Sequence, residues 1–284
     1  RTMGPVSGLV VALLALTLVS GYALRRRQDL RRAEQALMQE MADELQTAHD
    51  LQMELMPKES PTVAGLDLAG KCVPATHVGG DFFEYFEQDG KVTIALADVT
   101  GHAMAAAIPI VMFSGILKSH MEQVASLQER FERLNRSLHG TLSAHTYVTL
   151  VMGELDLVDR TFRISDSGCP YPYYFRASTG EVQELEVDAF PLGVRPDTVY
   201  GVLEQQLEPG DRVVFCSDGL IEAENEAGER FGFERAAKTV QQVCAEGMSA
   251  HTTVDDILNT VGQFRSQAEQ EDDITCVVVV VEES

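Results

Sequence analysis

Residues 81–99, DFFEYFEQDGKVTIALADV, give the clearest indication of the architecture. Two runs rich in aromatic and aliphatic residues, 81–86 and 91–99, flank the dipeptide Asp89-Gly90. Asp-Gly favours a tight turn between antiparallel strands, so we predict a β-hairpin here.

The remaining strands and the helices fall into separate groups on either side of this hairpin. The predicted helices are 103–124, 127–142, 233–246 and 252–268, and the other predicted strands are 66–73, 147–155, 161–165, 173–176, 182–185, 201–207, 212–216 and 274–281. The last strand is continuously apolar, which is typical of the centre of a sheet. Because strands and helices do not alternate regularly, the pattern predicts an α+β fold with antiparallel sheets and helices outside them.

The composition excludes one class of partner. The chain of 284 residues has a net charge of -22, with 44 acidic and 22 basic side chains. Such a surface repels phosphates, so we expect no nucleic-acid partner. The charge is uneven, because residues 1–32 carry +5 and residues 33–56 carry -6. This asymmetry indicates separate modules.

The first module is a candidate membrane anchor, residues 1–24. Residues 6–24 hold no charge over 19 positions, and Arg25-Arg26-Arg27 follows at once. At about 1.5 Å per helical residue, such a run just spans a bilayer core. Flanking arginines stay on the cytoplasmic side, so we expect a single-pass inner-membrane protein with its following domain in the cytoplasm. A cleaved signal peptide is the alternative, but its positive cluster would precede the apolar run.

The second module, residues 25–56, is a candidate helical linker. It lacks Gly and Pro, and its apolar positions recur every three or four residues. One apolar stripe on a helix favours a parallel coiled coil that pairs two chains into a homodimer. The alternative is an amphipathic helix packed on its own domain. The third module is residues 57–284, and the dispersed cysteines there indicate neither disulfides nor a zinc site.

Five aspartates lie at the ends of predicted strands: Asp81 in VGGDFF, Asp98 in ALADVTGH, Asp218 in FCSDGL, and Asp272 with Asp273 in EDDIT. Each alone is also typical of a turn or a cap. Carboxylates that emerge together at the rim of a buried sheet repel one another unless something neutralises them. Oxygen ligands without a His or Cys pattern favour Mg²⁺ or Mn²⁺ over Zn²⁺. We therefore predict a divalent-cation site.

The same segments carry a resemblance to a known family. VGGDFFEYF, ALADVTGHAMAAAI, LEPGDRVVFCSDGLIEAENEAGERFG and DDITCVVVVV are similar to stretches of bacterial metal-dependent Ser/Thr protein phosphatases (PPM, or protein phosphatase 2C-like) of the SpoIIE and RsbU type. ELQTAHDLQMELMP, SDSGCPYPYYFRASTGEVQEL and FPLGV also resemble that family. The similarity covers about residues 44–282.

This resemblance implies an αββα sandwich, two antiparallel sheets flanked by helix pairs, with two Mn²⁺ or Mg²⁺ ions at one end. By the family pattern Asp98 would bridge both metals, the Val99 carbonyl would bind one, Asp218 and Asp272 would complete the cluster, and Asp81 would lie in or just beyond it. The implied activity is hydrolysis of phosphoserine or phosphothreonine on a regulatory protein, such as an anti-sigma-factor antagonist. The metals would activate a water molecule, and no side-chain nucleophile is needed.

Three positions depart from the family pattern or are less certain in it. The family tolerates a neutral residue at Asp273. Gly101-His102-Ala103 stands where Gly-His-Gly is usual, and Gly168-Cys169-Pro170 stands where Gly-His-Pro is usual. An Ala at a position that needs positive φ would strain the metal loop by about 1 kcal/mol. His102 is either a general acid or a side chain that packs beside the loop.

Two other functions fit parts of the sequence. The GGDFF string also begins the signature of a diguanylate cyclase, but that enzyme would need a hairpin centred on Gly79-Gly80 and would leave the DGL and DDIT segments without a role. A membrane-anchored signalling scaffold with a degenerate phosphatase fold is the non-enzyme alternative. The complete set of aspartates favours the enzyme.

Overall fold

The computed structural model describes residues 4–75, 79–100, 104–143 and 146–282. Its elements in chain order are α1 (Gly4–Met53), β1 (Leu66–Val73), β2 (Asp81–Gln88), β3 (Lys91–Val99), α2 (Met104–Met121), α3 (Leu127–His139), β4 (Val148–Asp156), β5 (Thr161–Asp166), β6 (Tyr173–Arg176), β7 (Glu181–Glu184), β8 (Leu203–Gln206), β9 (Arg212–Cys216), α4 (Asp218–Glu222), α5 (Gly232–Ala245), α6 (Ala250–Arg265) and β10 (Ile274–Val281).

The chain divides into two compact units, Arg1–Thr47 and Ala48–Ser284. The first unit contains most of α1, which runs without a break through the predicted boundary between anchor and linker. Among the helices of the described ranges, we find none that is both long enough and apolar enough to cross a membrane.

The second unit contains two antiparallel five-stranded sheets. One has the order β1-β10-β9-β6-β7 and the other β2-β3-β4-β5-β8. The predicted hairpin is confirmed, because β2 pairs with β3 from Asp81 opposite Asp98 to Gln88 opposite Lys91. Asp89 and Gly90 form its turn with φ of 52° and 74°, the left-handed conformation that Asp-Gly accommodates. The α+β class with two antiparallel sheets is confirmed.

Strand β10 shows how the layers are held together. All of its residues are buried. Val277, Val279 and Val281 belong to the core between the sheets, while Cys276 and Val278 face a second core under α5 and α6. Successive side chains of a strand point to opposite faces, so a strand covered on both faces must be apolar throughout. The prediction that 274–281 is central is confirmed.

Helix pairs cover both outer faces. Phe113 and Leu117 of α2 and Phe131 of α3 pack on the sheet that contains β3, and Val240 of α5 and Ile257 of α6 pack on the sheet that contains β10. This is the predicted αββα layering. The elements differ from the predicted ones mainly at their ends. The strand predicted at 201–207 is shorter, and α4 was not predicted, because five residues are too few for a helical period.

Candidate metal centre

The β2–β3 hairpin places two of the predicted aspartates side by side. Asp81 is the first residue of β2 and lies opposite Asp98, near the end of β3. Val99 ends β3, and its N–H donates to the Gly80 carbonyl at 3.1 Å. Thr149 of β4 also supports this end of β3, since its hydroxyl donates to the Asp98 carbonyl at 3.3 Å. The hairpin therefore ends in two neighbouring carboxylates.

In the other sheet, Ser217 connects the segments that carry the remaining aspartates. Asp218 is the first residue of α4, directly after β9, and Asp272 and Asp273 directly precede β10. The Ser217 N–H donates to the Thr275 carbonyl at 3.0 Å, and its hydroxyl accepts from the Thr275 N–H at 2.9 Å. This exchange fixes the start of α4 against the start of β10.

Two hydrogen bonds then join these groups across the sheets. The Thr275 hydroxyl donates to Asp81 Oδ2 at 2.5 Å, and the Gly80 N–H donates to Asp273 Oδ2 at 2.8 Å. All five predicted aspartates are thus brought to one end of the sandwich. The sequence placed them at strand ends, and the structure shows that these ends meet.

Gly79 and Gly80 pass close to this cluster. A Cβ atom built on Gly80 would lie 2.4 Å from Asp98 Oδ1 and 2.6 Å from the Val99 carbonyl oxygen. A Cβ atom on Gly79 would lie 1.6 Å from Asp273 Oδ2. No side chain fits at such distances, so this segment must be glycine. It lies against the two oxygen atoms that the resemblance assigns as ligands.

The carboxylates interact electrostatically. Burial raises the pKa of Asp98 to about 7, and the negative charges of Asp218, Asp272 and Asp273 contribute. Burial also raises the pKa of Asp81 and of Asp218, with Asp98 as the main charged neighbour of the first and Asp272 of the second. Each negative charge thus disfavours the others, a condition that a bound cation relieves.

The donor set therefore suits a hard divalent cation in its chemistry. Asp272 is exposed, Asp98 and Asp218 are half-buried, and the Val99 carbonyl lies beside Asp98 at Gly80. In the arrangement of the described residues, no three His, Cys, Asp or Glu side chains already stand close enough together to hold a metal ion. The ligand assignment accordingly stays a prediction.

The Asp273 carboxylate binds backbone N–H groups and does not face the other carboxylates. Its carboxylate accepts from the N–H of Ala75 at 2.9 Å, of Gly80 at 2.8 Å and of Asp81 at 3.3 Å. The side chain is buried, and the backbone of Asp273 contacts Gly219. This arrangement assigns Asp273 to the support of the segment before β2.

Changing Asp273 to Asn is expected to destabilise the fold. The amide keeps one acceptor but turns an NH₂ group toward backbone donors, so we expect a loss of about 1–3 kcal/mol in the free energy of unfolding. Urea denaturation of Asp273→Asn beside Asp197→Asn measures it, since Asp197 is exposed. Equal stabilities of these two variants would contradict this role.

Of the two departures from the family pattern, only the one at Cys169 lies among the described residues. Gly101, His102 and Ala103 fall outside the described residues. Cys169 is buried, its N–H donates to Asp166 Oδ1 at 2.9 Å, and its Sγ lies 3.8 Å from the Leu96 carbonyl oxygen. Burial, together with the charges of Asp166 and Asp98, raises the pKa of its thiol well above the usual value. Cys169 is therefore a neutral thiol beside the cluster.

Sequence reasoning missed the neutral residues that assemble the site. Ser217, Thr275 and Gln52 form the buried hydrogen bonds that connect its segments. Only the paired glycines at 79 and 80 gave a usable signal, because glycine before a strand marks a close backbone approach.

Comparison with known proteins identifies the family of this chain. The model of the family "Stage II sporulation protein E (SpoIIE)" matches residues 88–282. "Phosphoserine phosphatase RsbU" of Bacillus subtilis (strain 168) is 25% identical over 261 residues, which cover 91% of this chain and 75% of the relative.

Solved structures show the same fold. The "SiaA-PP2C domain of Pseudomonas aeruginosa" has a TM-score of 0.76 at 22% identity and covers 88% of this chain and 98% of its own. A more distant structure, the catalytic domain of the serine threonine protein phosphatase PstP in complex with 2 manganese ions, has a TM-score of 0.54 at 14% identity and covers 77% of this chain and 99% of its own.

The family match covers more than half of the chain and includes β3, Asp98, Asp218, Asp272 and Asp273. It assigns a different family from the diguanylate cyclases, and the hairpin turn at Asp89-Gly90 agrees, since Gly79-Gly80 lies before β2 and not in that turn. The chain therefore belongs to the SpoIIE family and carries its PP2C-type serine/threonine phosphatase domain.

Proposed function

We propose that this chain hydrolyses phosphoserine or phosphothreonine on a regulatory protein with the help of two divalent cations, Mn²⁺ or Mg²⁺. The observation that carries the proposal is the convergence of Asp81, Asp98, Asp218, Asp272 and Asp273 at one end of the sandwich. Burial raises the pKa values of Asp81, Asp98 and Asp218, and the negative charges of neighbouring aspartates add to the rise, which supports a site for cations.

Asp98, Asp218, Asp272 and the Val99 carbonyl are the groups that would hold the cations. When bound, two divalent cations supply an activated water molecule and neutralise charge on the phosphoryl oxygens. Asp98 would be shared by both cations, since its Oδ1 lies close to the Gly80 backbone and its carboxylate interacts electrostatically with Asp218 and Asp272. Asp81 is engaged by the Thr275 hydroxyl, so its contribution is to orient this end of β2 and to add negative charge.

A cleft beside Asp218 provides a path by which a substrate can reach this residue. The cavity has a volume of about 360 Å³ and is lined by Asp218, residues 168–171, residues 187–189 and Phe233. A larger cavity of about 760 Å³, lined by residues 188–190 and 195–199, shares Asp188 and Ala189 with it. The larger cavity contains none of the predicted ligands. We therefore assign the phosphorylated residue to the smaller cleft, because a predicted ligand, Asp218, lines it.

The printed name of a relative supports the proposed substrate class. RsbU is named a phosphoserine phosphatase, and the acidity of this chain, with its net charge of -22, disfavours nucleic acid. A phosphorylated regulatory protein, such as an anti-sigma-factor antagonist, is the proposed partner.

A phosphatase assay separates this function from the scaffold alternative. The full chain with Mn²⁺ should release phosphate from a phosphoseryl peptide, and Asp218→Asn should lower the rate by about 10²-fold or more. Asp256→Asn on α6 is the matched control and should retain the rate. Absence of hydrolysis by a folded wild-type chain that binds phosphopeptide would favour the scaffold.

We also propose, from the sequence, that residues 6–24 anchor the chain in the inner membrane with the phosphatase domain in the cytoplasm. The support is the uncharged run followed by Arg25-Arg26-Arg27. Membrane fractionation of cells that express the chain, followed by protease treatment of intact spheroplasts, tests it. Recovery of the chain in the soluble fraction, or cleavage of the domain from outside, would contradict it.

The linker helix is the proposed dimer contact. Its stripe residues Leu30, Leu37 and Met41 are 62%, 58% and 56% exposed in the single chain, as expected of a surface that a second copy covers. Light scattering should give the mass of a dimer, and Leu37→Glu should give a monomer. A monomeric wild-type chain would refute the contact.

A further inference from the structure

The last turn of α1 contacts the segment that leads into the metal centre. Gln52 is buried, and its side-chain amide makes two hydrogen bonds to one residue. Its Nε2 donates to the Gly79 carbonyl at 2.8 Å, and its Oε1 accepts from the Gly79 N–H at 2.9 Å. Among side chains of this length only glutamine both donates and accepts in this way. These two hydrogen bonds therefore resemble those between paired β-strands, although Gly79 lies outside the strands.

The position of Gln52 is itself fixed. Its carbonyl accepts from the Leu55 N–H at 2.9 Å, and Met56 is buried in the hydrophobic core. Met53 and Leu55 pack against the same core. The end of α1 is thus a rigid support, and Gln52 projects from it.

On its other side Gly79 faces Asp273. The Asp273 carboxylate receives the N–H groups of Ala75, Gly80 and Asp81, and it leaves no space for a side chain at Gly79. Gly80, the next residue, lies against Asp98 Oδ1 and the Val99 carbonyl oxygen. Residues 79–81 are therefore held between Gln52, Asp273 and the predicted ligands Asp98 and Val99.

We propose that Gln52 is a positioning residue, which holds Gly79-Gly80-Asp81 in the conformation that the divalent-cation site requires. The inference deepens the proposed function and rests on it. It also makes the end of α1 part of the site, because movement of that turn removes both hydrogen bonds from Gly79 at once.

The experiment compares Gln52→Leu and Gln52→Glu in the full chain. Leucine removes both hydrogen bonds, whereas glutamate keeps the acceptor for the Gly79 N–H and loses the donor. Hydrogen exchange of the Gly79 amide in the metal-free protein measures the loss of its hydrogen bond to Gln52. Titration calorimetry measures the resulting change in Mn²⁺ affinity. We expect Gln52→Leu to speed exchange and to weaken Mn²⁺ binding, each by about tenfold or more. Gln52→Glu should fall between it and wild type.

Gln39→Leu is the matched control. Gln39 lies on the same helix, is exposed, and donates to Asp43 on its own helix at 2.8 Å. The Gln39→Leu variant should show wild-type exchange of the Gly79 amide and wild-type Mn²⁺ binding.

Faster exchange at Gly79 together with weaker Mn²⁺ binding in the Gln52 variants supports the proposal. Wild-type exchange and wild-type Mn²⁺ affinity in a folded Gln52→Leu protein overturn it. If Gln52→Leu does not fold, Gln52→Glu is judged by the same two criteria. A wild-type chain that neither binds Mn²⁺ nor hydrolyses phosphopeptide defeats the proposed function, and it defeats with it the assignment of Gln52 to a cation site.

Discussion

Asp98→Asn is expected to abolish phosphatase activity, with a fall in kcat/KM on the order of 10³-fold. Asp98 is the carboxylate on which the electrostatic influence of Asp218, Asp272 and Asp273 converges. Asparagine has nearly the same shape, but it cannot supply the negative charge that two cations share. Steady-state assays on a phosphoseryl peptide with saturating Mn²⁺ measure the loss. Activity within about tenfold of wild type would contradict the assignment of Asp98 as the bridging ligand.

The same substitution should not damage the metal-free fold. The pKa of Asp98 is raised to about 7 in the folded chain, so the folded state binds a proton that the unfolded state has lost. The free energy of unfolding therefore falls as the pH rises from about 4 to about 7. Above that range the charged, buried carboxylate destabilises the folded state to its full extent. Asparagine has no such penalty. Urea denaturation with EDTA at about pH 8 should find Asp98→Asn at least as stable as wild type.

Gly80→Ala is expected to weaken Mn²⁺ binding by about 100-fold. The added Cβ would meet Asp98 Oδ1 at 2.4 Å and the Val99 carbonyl oxygen at 2.6 Å. One of these oxygens must move, and both are predicted ligands. Titration calorimetry with Mn²⁺ on the full chain measures the change, and phosphatase activity should fall with it.

Gly115→Ala is the control for this prediction. Gly115 lies inside α2, and a Cβ there meets nothing within 4 Å. Alanine also favours a helix more than glycine does, so the variant should be folded and should bind Mn²⁺ normally. Equal affinities of Gly80→Ala and Gly115→Ala would show that the Gly80 backbone does not border the cation site.

The fold could be predicted where the sequence pattern was strong and local. Asp89-Gly90 between two apolar runs gave the hairpin, and the unbroken apolar run at 274–281 gave the central strand. The ends of the elements were less accurate. Helix α6 begins at Ala250 because Ser249 caps it by accepting from the Thr252 N–H, a contact that the apolar period alone does not reveal. Helix α4 is a single short turn that holds Asp218, and it has no period to detect.

The site could be predicted only in its charged members. Asp81, Asp98 and Asp218 were recognisable because a carboxylate at the end of a buried strand needs a reason to be there. Asp273 was predicted as a possible ligand, yet its carboxylate binds three backbone N–H groups. Whether a carboxylate faces backbone or the site depends on contacts between residues far apart in the chain. Gln52 was missed for the same reason, since it meets Gly79 only after α1 packs on the core.

Titration calorimetry of the metal-free full chain with Mn²⁺ shows whether the aspartates at one end of the sandwich form a site for two divalent cations. We predict about two ions per chain for wild type and a loss of this binding in Asp98→Asn. A wild-type chain that binds no Mn²⁺, or an Asp98→Asn variant that binds it with unchanged stoichiometry and affinity, would contradict the account.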